Sequence, residues 1–375
     1  MRVGLNLVYL VPGETGGMET YARELLPRLA ARDDLDLVAF VNEEAAAAGD
    51  GPWGDVVPME VVPVRARSRV QWVRGEQQHL PALAARAGVD VLHSLASTAP
   101  LRGPFTRVTT IHDLNFKLVP GTHFGLLGLG MGVLVPAAAR RSHRIVVDAA
   151  STRDDLVRHL GTDPAKVDVV PLAAARPSAR PRPEAELRRE LRLGDRDVVL
   201  SASARRPHKN VARLLDALAG LPPAERPVLV VPGYPTTYEA DLRARAAAVG
   251  VEGDVVWPAW VSGEDLEGLY ALATCVVFPS LHEGFGLPVL EALQRGVPVA
   301  CSDRSSLPEV AGDAALLFDP EDVGAIRTAL ERLLRDGALR ADLARRGREQ
   351  AARFSWERTA GLTAASYARA RSQRA

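Results

Sequence analysis

Residues 275–293 read CVVFPSLHEGFGLPVLEAL, and this stretch decides the fold. It opens with a short apolar run rich in valine and phenylalanine, which is typical of a buried strand. Gly284 and Gly286 allow a tight turn, and Pro288 suits the first turn of the helix that the remaining residues predict. A strand, a turn and a helix in this order form the repeating unit of a parallel sheet.

The same alternation continues in both directions from this stretch. Nearly continuous apolar runs predict strands that are covered on both faces, as in parallel sheets with helices on each side. Two successive sets of such runs predict an α/β protein with two doubly wound, Rossmann-like domains. The predicted strands are VGLNLVYL (3–10), DLVAFV (36–41), VDVLHS (89–94), RVTTIHD (107–113), RIVVDA (144–149), KVDVVPL (166–172), DVVLSASA (197–204), PVLVVPGY (227–234), DVVWPAW (254–260), CVVFPS (275–280), VPVACSD (297–303) and AALLFD (314–319).

The chain has 375 residues, which exceeds the roughly 100–200 residues of one ordinary domain. We place a first domain at residues 1–172 and a second at 195–353. A proline-rich segment at 173–194 is predicted to be the linker and the start of the second domain. Residues 354–375 are predicted to form a terminal helix, with Ser355 as its N-cap.

Composition excludes some classes of protein. Acidic and basic residues balance at 46 each, which argues against a nucleic-acid-binding protein, since such proteins carry a basic excess. Cys275 and Cys301 lie in apolar runs and are predicted to be buried thiols rather than zinc ligands. The first residues predict a buried strand and lack the cleavage site of a signal peptide, so we expect a cytoplasmic protein.

An apolar stretch at 124–139, FGLLGLGMGVLVPAAA, raises the question of a membrane. It is shorter than the roughly 20 residues that a membrane-spanning helix needs. We therefore predict a buried or partner-facing helix. Peripheral contact with the inner face of a membrane stays open as an alternative.

The glycine turn of the opening stretch lies between two carboxylates, Glu283 and Glu291. The N–H groups at the start of the following helix favour an anion, above all a phosphate. The two carboxylates can accept hydrogen bonds from sugar hydroxyls. This pattern indicates a ligand with a sugar, a phosphate and a second sugar in sequence. The structural alternative is a helix N-terminus with favourable acids.

A basic loop follows the predicted strand at 197–204. Arg205, Arg206, His208 and Lys209 lie between this strand and a predicted helix. Clustered cations at the end of a strand suit a diphosphate. The alternative is a basic loop that only water contacts.

Two segments of the first domain carry weaker signals. Gly16 and Gly17 lie between the first strand and the first helix, where they allow the backbone to approach a phosphate or an acceptor. The dinucleotide-binding fingerprint is absent there. His112 ends a strand and can orient a substrate hydroxyl or phosphate, and the alternative is a hydrogen-bonded structural histidine.

Together these segments resemble the retaining glycosyltransferases of family GT4, which have the GT-B fold. The most specific feature is the E-x7-E motif from Glu283 to Glu291, with GFGLP between the two glutamates. The sequences GGMETYARELL, TIHD, RRPHKN and FSWERTA also occur in the order that the family shows. The resemblance covers almost the whole chain.

The resemblance implies two Rossmann-like domains that face a central cleft. The N-terminal domain would bind the acceptor, the C-terminal domain would bind a nucleotide-diphospho-sugar, and the last helix would cross back to the N-terminal domain. The implied reaction transfers a sugar to an acceptor hydroxyl with retained configuration. The alternatives are a sugar-nucleotide epimerase of the same fold, a non-catalytic nucleotide-sugar-binding protein, and a catalytically silent partner subunit.

The resemblance also implies roles for individual residues. Three would act in catalysis: His112 at the transferred sugar, Lys209 at the diphosphate and Glu283 at the sugar hydroxyls. Glu291 would contact the ribose, and Val261 would lie near the base. The other implied donor contacts are Gly16, Gly17, Arg205, Gly284, Phe285, Gly286 and Leu287.

The basic loop departs from the family pattern at one point. Many relatives have an arginine directly at the strand end, where this chain has Ser203 and Ala204. The choice of Arg205 over Arg206 for the diphosphate therefore stays open.

No acidic motif indicates a magnesium site, and the family's chemistry usually needs no metal. We expect no cofactor besides the nucleotide-sugar co-substrate. The expected partners are this donor and a carbohydrate, lipid-linked or small-molecule acceptor, with no nucleic acid. The sequence does not identify the sugar, the acceptor or the oligomeric state.

Overall fold

The structure is a computed structural model that describes residues 1–49, 51–119, 125–175, 179–234, 236–259 and 261–373, without the side chains of 125–129. The chain divides into two compact units. Unit 1 consists of the described residues within Met1–Lys117, His123–Leu172 and Ser355–Ala375. Unit 2 consists of those within Leu118–Thr122 and Ala173–Phe354.

Unit 1 contains a seven-stranded parallel sheet with the strand order β3-β2-β1-β4-β5-β6-β7. Because β1 pairs with both β2 and β4, the strand order changes direction between β1 and β4. The strands are β1 (Arg2–Leu7), β2 (Asp36–Val41), β3 (Met59–Val61), β4 (Val91–Ser94), β5 (Thr106–Thr110), β6 (Arg144–Val147) and β7 (Val167–Val169).

Helices connect these parallel strands, as the predicted alternation requires, except that a loop joins β4 to β5. A π-helical segment, Gly75–His79, joins the helices Arg69–Arg74 and Leu80–Arg86 into one continuous helical stretch. The helices are α1 (Gly17–Ala30), α2 (Glu43–Ala48), α3 (Pro52–Asp55), α4 (Arg69–Arg74), α5 (Leu80–Arg86), α6 (Asn115–Leu118), α7 (Gly125–Arg141) and α8 (Ala150–Leu160).

Unit 2 contains a six-stranded parallel sheet with the order β10-β9-β8-β11-β12-β13. Its core is formed by the apolar faces of helices on this sheet. The strands are β8 (Val198–Leu200), β9 (Val228–Val230), β10 (Val255–Val256), β11 (Cys275–Phe278), β12 (Val299–Ser302) and β13 (Ala315–Phe318). The remaining helices are α9 (Glu184–Glu190), α10 (Val211–Ala219), α11 (Glu239–Ala248), α12 (Gly263–Leu272), α13 (Leu287–Arg295), α14 (Leu307–Ala311), α15 (Val323–Arg335), α16 (Gly337–Ala351) and α17 (Trp356–Ser372).

The fold class predicted from the sequence is confirmed by these two parallel sheets. One strand was missed: β3 contains three residues at the edge of its sheet, too few to produce a recognisable pattern. The predicted N-cap is confirmed, since the Ser355 hydroxyl accepts a hydrogen bond from the Arg358 N–H at 3.2 Å. The helix that it caps, α17, belongs to unit 1 and packs on α1, β5 and β6.

The predicted buried thiols are confirmed, because Cys275 and Cys301 are free and buried in β11 and β12. Burial raises the pKa of each thiol to about 12. The apolar stretch at 124–139 lies in α7, except for Phe124, which is outside the described residues. Among the helices that the structure describes, none has the length and apolarity to cross a membrane.

Candidate functional site

Three neighbouring strands of unit 2 end at the same edge of the sheet, and the loops after two of them carry the polar side chains that the sequence singled out. Strand β11 pairs with β8 on one side and with β12 on the other. The basic loop follows β8, the glycine turn follows β11, and Ser305 and Ser306 follow β12. Ligands of doubly wound sheets bind at this carboxyl edge.

The basic loop and the glycine turn meet through an ion pair. The Lys209 Nζ donates a hydrogen bond to Glu283 Oε1 at 2.7 Å, and both side chains are largely buried. The ammonium also lies 5.2 Å from the centre of the Phe278 ring. Among the described residues Glu283 is its only hydrogen-bond acceptor, which leaves two of three N–H groups for a ligand.

The conformation of Glu283 is fixed from the loop after β12. Its backbone N–H donates to Ser305 Oγ at 2.9 Å. The Ser306 hydroxyl lies within hydrogen-bond distance of the carbonyl oxygens of Glu283 (3.1 Å) and Phe285 (2.8 Å). Burial alone would raise the pKa of the Glu283 carboxyl, but the Lys209 ammonium lowers this pKa below its ordinary value. The carboxylate is therefore ionised at neutral pH and accepts hydrogen bonds.

The start of α13 has unused donors. The N–H groups of Phe285, Gly286 and Leu287 have no acceptor among the described residues. Gly286 has a φ of 103°, and a Cβ there would lie 2.5 Å from Leu307 Cδ2. Only glycine fits this turn. Free N–H groups at the N-terminus of a helix form a site for a phosphate.

The sequence did not single out Asn210, whose side chain fixes the backbone that leads into the glycine turn. Its Nδ2 donates to the carbonyl oxygens of Pro279 at 2.9 Å and Pro320 at 2.7 Å, and its φ is 59°. It therefore ties the end of the basic loop to the residues after β11 and β13. An asparagine before a helix is a recognisable signal, because this residue type tolerates the left-handed conformation.

Glu291 lies one turn into α13, and the described residues give its side chain one hydrogen bond. The Tyr270 hydroxyl donates to Glu291 Oε2 at 3.2 Å. Burial raises the pKa of Glu291, and the Arg295 guanidinium opposes this effect in part. The other carboxylate oxygen is left for a ligand.

The structure argues against Arg205 as a diphosphate ligand. Its side chain is 1% exposed and pairs with Glu239, and it donates to the carbonyl oxygens of Val231 (2.9 Å) and Pro258. The guanidinium thus stabilises the ends of β9 and β10. Arg206 is exposed, so it is the arginine of this loop that a ligand can reach. Arg205 is unsuitable as a diphosphate ligand because its guanidinium is buried within unit 2.

Val261, predicted to lie near a base, follows β10 and precedes the N-cap of α12. It is partly buried. The described residues show no contact that joins it to the ion pair of Lys209 and Glu283. Its role stays a prediction.

The remaining predicted residues belong to unit 1. Gly16 and Gly17 are exposed at the start of α1, and a Cβ at Gly16 would meet open space. The loop before them is ordered by hydrogen bonds of its own: Thr15 Oγ1 accepts from the Val11 N–H at 2.9 Å, and Glu19 Oε2 accepts from the Gly13 N–H at 2.8 Å. The two glycines are therefore presented by a structured loop.

His112 follows β5, and both nitrogens of its ring contact protein groups. Nδ1 lies 2.7 Å from Asp148 Oδ2, and Nε2 lies 2.9 Å from the Leu95 carbonyl oxygen, to which it must donate. Burial alone would lower the pKa of His112, but the Asp148 carboxylate raises it above its ordinary value. In this conformation neither ring nitrogen is available to a substrate hydroxyl, as the structural alternative for this histidine requires.

The edge of unit 2 thus brings together six of the predicted residues. They share the loops after β8 and β11: Lys209, Glu283, Gly284, Phe285, Gly286 and Leu287. Glu291 is on the helix that follows. Within the described part of the chain, no group of three His, Cys, Asp or Glu side chains is arranged to hold a metal.

Two family profiles match the chain. One, described as "Glycosyltransferase Family 4", matches residues 15–175. The other, described as "Glycosyl transferases group 1", matches residues 183–350. The two matches together extend over both units.

Curated relatives agree with these profiles. The O-antigen chain mannosyltransferase B of Escherichia coli is 35% identical over 266 residues, which is 69% of this chain and 69% of the relative. The D-inositol 3-phosphate glycosyltransferase of Salinispora arenicola is 31% identical over 394 aligned positions, which cover 92% of this chain and 86% of the relative.

Solved structures share the fold. A sucrose-phosphate synthase from Thermosynechococcus elongatus aligns with a TM-score of 0.77 at 20% identity, over 98% of each chain. Anabaena HepE in complex with UDP-glucose aligns with a TM-score of 0.76 at 18% identity, over 98% of this chain and 99% of HepE. At these identities the likeness concerns the GT-B fold.

Proposed function

The chain belongs to glycosyltransferase family 4, the glycosyl transferases group 1, and on this premise we propose that it transfers a hexose from a nucleotide-diphospho-sugar to an acceptor hydroxyl with retained configuration. Unit 2 binds the donor at the carboxyl ends of β8 and β11. Unit 1 binds the acceptor.

One observation carries the proposal for the donor. At a single sheet edge, a largely buried ammonium has two N–H groups, and the start of α13 has three backbone N–H groups, for which the described residues offer no acceptor. The Lys209 ammonium supplies charge, and the start of α13 supplies directed donors. A diphosphate needs both. The Glu283 carboxylate then accepts from the hydroxyls of the sugar, and Glu291 accepts from the ribose.

In the proposed step, the bond between the anomeric carbon and the diphosphate oxygen breaks, and the diphosphate leaves with the electron pair. The acceptor oxygen forms the new bond on the same face, and its proton passes to an oxygen of the departing phosphate. Lys209 and the N–H groups of α13 stabilise the negative charge that develops there. Because these groups supply the stabilisation, we propose that the step needs no metal.

The hydrogen bonds of Glu283 and Glu291 favour separate roles for these residues over a covalent mechanism in which Glu283 attacks the sugar. Retaining glycosidases place two carboxyl groups about 5 Å apart across the bond that breaks. Here Glu283 is held by Lys209, while Glu291 is on a helix and accepts from Tyr270. The two carboxylates suit separate parts of one donor.

The names of the relatives support the class of substrate. A mannosyltransferase of O-antigen chains and a structure that contains UDP-glucose favour a hexose donor, and the former favours a glycan acceptor. They do not favour the sugar-nucleotide epimerase, since the relatives named above transfer sugars.

A donor screen tests the proposal. The melting temperature of the protein is measured with UDP-glucose, GDP-mannose, ADP-glucose and dTDP-glucose, and slow release of the nucleoside diphosphate is then measured without an acceptor. We expect one nucleotide to stabilise the protein, by about 2.7 kcal/mol at a hundredfold excess over Kd, and to be hydrolysed. No stabilisation by any of the four would contradict the donor site, and an epimerised product would replace the transferase by an epimerase.

A further inference from the structure

Unit 1 contains a buried carboxyl group to which the proposed function assigns no role. Glu76 lies in the π-helical segment Gly75–His79, and its side chain is 2% exposed. It lies against the carboxyl ends of β1 and β4, where the strand order of the sheet changes direction. Ligands of doubly wound sheets bind at such a point, and π-helical segments are frequent at functional sites.

Three donors converge on this carboxyl group. Its Oε1 accepts from Asn6 Nδ2 at 3.0 Å and from Thr98 Oγ1 at 2.9 Å. Its Oε2 accepts from Gln77 Nε2 at 3.2 Å. The Gln77 amide is locked in this orientation, because it also donates to the Ala99 carbonyl oxygen and accepts from the Leu101 N–H. All these partners are uncharged, and their donors suit a carboxylate.

Through Asn6, the carboxyl group acts on the loop between β1 and α1. Asn6 Oδ1 accepts from the Val8 N–H at 3.1 Å. Asn42, at the end of β2, donates to the carbonyl oxygens of Val8 (3.0 Å) and Leu10 (2.6 Å). The backbone at Val8 is therefore held from both sides. This loop leads to Gly16 and Gly17.

Through Thr98, the same carboxyl group acts on the loop between β4 and β5. This loop includes Ser97, whose φ of 47° is a strained conformation for a residue with a side chain. It also includes the Leu95 carbonyl oxygen that accepts from His112 Nε2. One buried group thus joins the loop that leads to Gly16 and Gly17 to the loop whose Leu95 carbonyl oxygen holds His112.

We propose that Glu76 is a positioning residue for sugar transfer, which fixes the β1–α1 and β4–β5 loops relative to each other. The proposal rests on the proposed function, since it assigns these loops a part in the reaction. Glu76 has no contact with substrate in this account. It acts through Asn6 and Thr98.

The protonation state of Glu76 gives the proposal a distinctive readout. Burial raises the pKa of Glu76 to about 7, and the hydrogen bonds from Thr98, Asn6 and Gln77 limit this rise. The groups that shift this pKa are uncharged. Protonation places an O–H where only donors face it, so one hydrogen bond of the network is lost. Below pH 7 the loops should therefore be held less well.

The test compares Glu76→Gln with the wild-type protein and with Glu60→Gln, a matched change on β3 of the same unit. The readouts are the shift in melting temperature caused by the nucleotide-sugar that stabilises the wild-type protein, and the rate at which that nucleotide-sugar is hydrolysed between pH 5.5 and 8.5. We expect Glu76→Gln to keep the thermal shift, because the donor binds unit 2. We expect its rate at pH 8 to fall about tenfold, as the loss of one hydrogen bond allows.

The pH profile separates positioning from a merely structural role. The wild-type rate should fall as the pH is lowered through about 7, whereas Glu76→Gln should show no such step. Thr98→Val removes one donor to the carboxylate and should move the midpoint to higher pH, which decides the matter if Glu76→Gln does not fold. A wild-type rate and profile in both variants would overturn the proposal. A wild-type protein that neither binds nor hydrolyses any nucleotide-sugar would instead overturn the proposed function.

Discussion

The two sheets share the same strand order over six strands, but the polar groups at their carboxyl edges differ in what they contact. In unit 2, several N–H groups donate no hydrogen bond to a described residue. They are two N–H groups of the Lys209 ammonium and the backbone N–H groups of Phe285, Gly286 and Leu287. In unit 1, the ring of His112 and the carboxyl group of Glu76 have their hydrogen bonds within the protein.

This difference separates groups that can bind a ligand from groups that hold the backbone of the protein in place. A group with unused donors at an open edge can accept a ligand without first losing a partner, whereas a buried group with satisfied partners holds the backbone in place. We therefore assign the donor contacts to unit 2. In unit 1, the carboxyl group of Glu76 supports, through Asn6, the loop that leads to Gly16 and Gly17.

The largest expected effect comes from removing the ammonium at the unit 2 edge. Lys209→Ala should lower the rate of nucleotide-sugar turnover about a thousandfold, because a preorganised charge at the departing phosphate is lost. Turnover is measured as release of the nucleoside diphosphate, and the fold is checked by circular dichroism. Lys166→Ala is the control, since this lysine directly precedes β7 and therefore lies at the amino end of a strand of unit 1, away from the carboxyl edge. Equal rates in the two variants would refute the assignment of Lys209.

The second prediction compares adjacent arginines in the basic loop. Arg205→Ala should lower the free energy of unfolding by about 3 kcal/mol, because a buried ion pair loses one partner. Arg206→Ala should leave this free energy within about 0.5 kcal/mol of the wild-type value, as surface changes do, and should raise the KM for the donor. Urea unfolding and initial rates measure the two effects. A raised KM in Arg205→Ala together with a loss of stability in Arg206→Ala would instead assign the diphosphate contact to Arg205.

The third prediction compares two glycines with positive φ. Gly286→Ala should destabilise the protein by about 1–3 kcal/mol, since it adds a contact of 2.5 Å with Leu307 to the strain of its φ. Gly250 has a φ of 72°, but a Cβ there would have no atom within 4 Å. Gly250→Ala should therefore lower the free energy of unfolding by only about 1 kcal/mol. Only the former should also weaken nucleotide binding. Melting curves with and without nucleotide distinguish the two, and an equal loss of binding in both would place the phosphate elsewhere.

The smallest expected effect belongs to the His112–Asp148 pair of unit 1. Because the folded pKa of His112 is raised above its ordinary 6.5, the pair contributes stability that is fully present below pH 6.5 and is lost as the pH rises through the folded pKa. Asp148→Asn should remove this dependence. The melting temperatures of both proteins are compared between pH 5.5 and 8.5, and a slope that survives in the variant would assign the titration to another group.

Sequence patterns were sufficient for the fold because the strands of both sheets are nearly continuous apolar runs. The glycine turn at Gly286 was also readable, since a positive φ next to a helix start demands glycine. The edge strand β3 was not, because three residues give no period. Local patterns decide these outcomes, and each lies within one βα unit.

Contacts between distant segments could not be read in the same way. Nothing near Arg205 in the sequence shows that its guanidinium pairs with Glu239, and nothing near His112 shows that Asp148 and Leu95 satisfy its ring. No sequence pattern singled out Glu76, because the partners that satisfy its carboxyl group, Asn6 and Thr98, are distant from it in the sequence. Such roles depend on which loops the sheet order brings together.

Hydrogen–deuterium exchange with and without nucleoside diphosphate tests the comparison of the two edges most directly. The protein is labelled alone and with the nucleotide that stabilises it, and uptake is compared for peptides that cover residues 281–290 and 11–20. We predict that the nucleotide slows exchange in 281–290, where the N–H groups of Phe285, Gly286 and Leu287 are unused, and changes uptake in 11–20 much less. Protection confined to 11–20, or unchanged exchange in 281–290, would contradict the assignment of the donor site to unit 2.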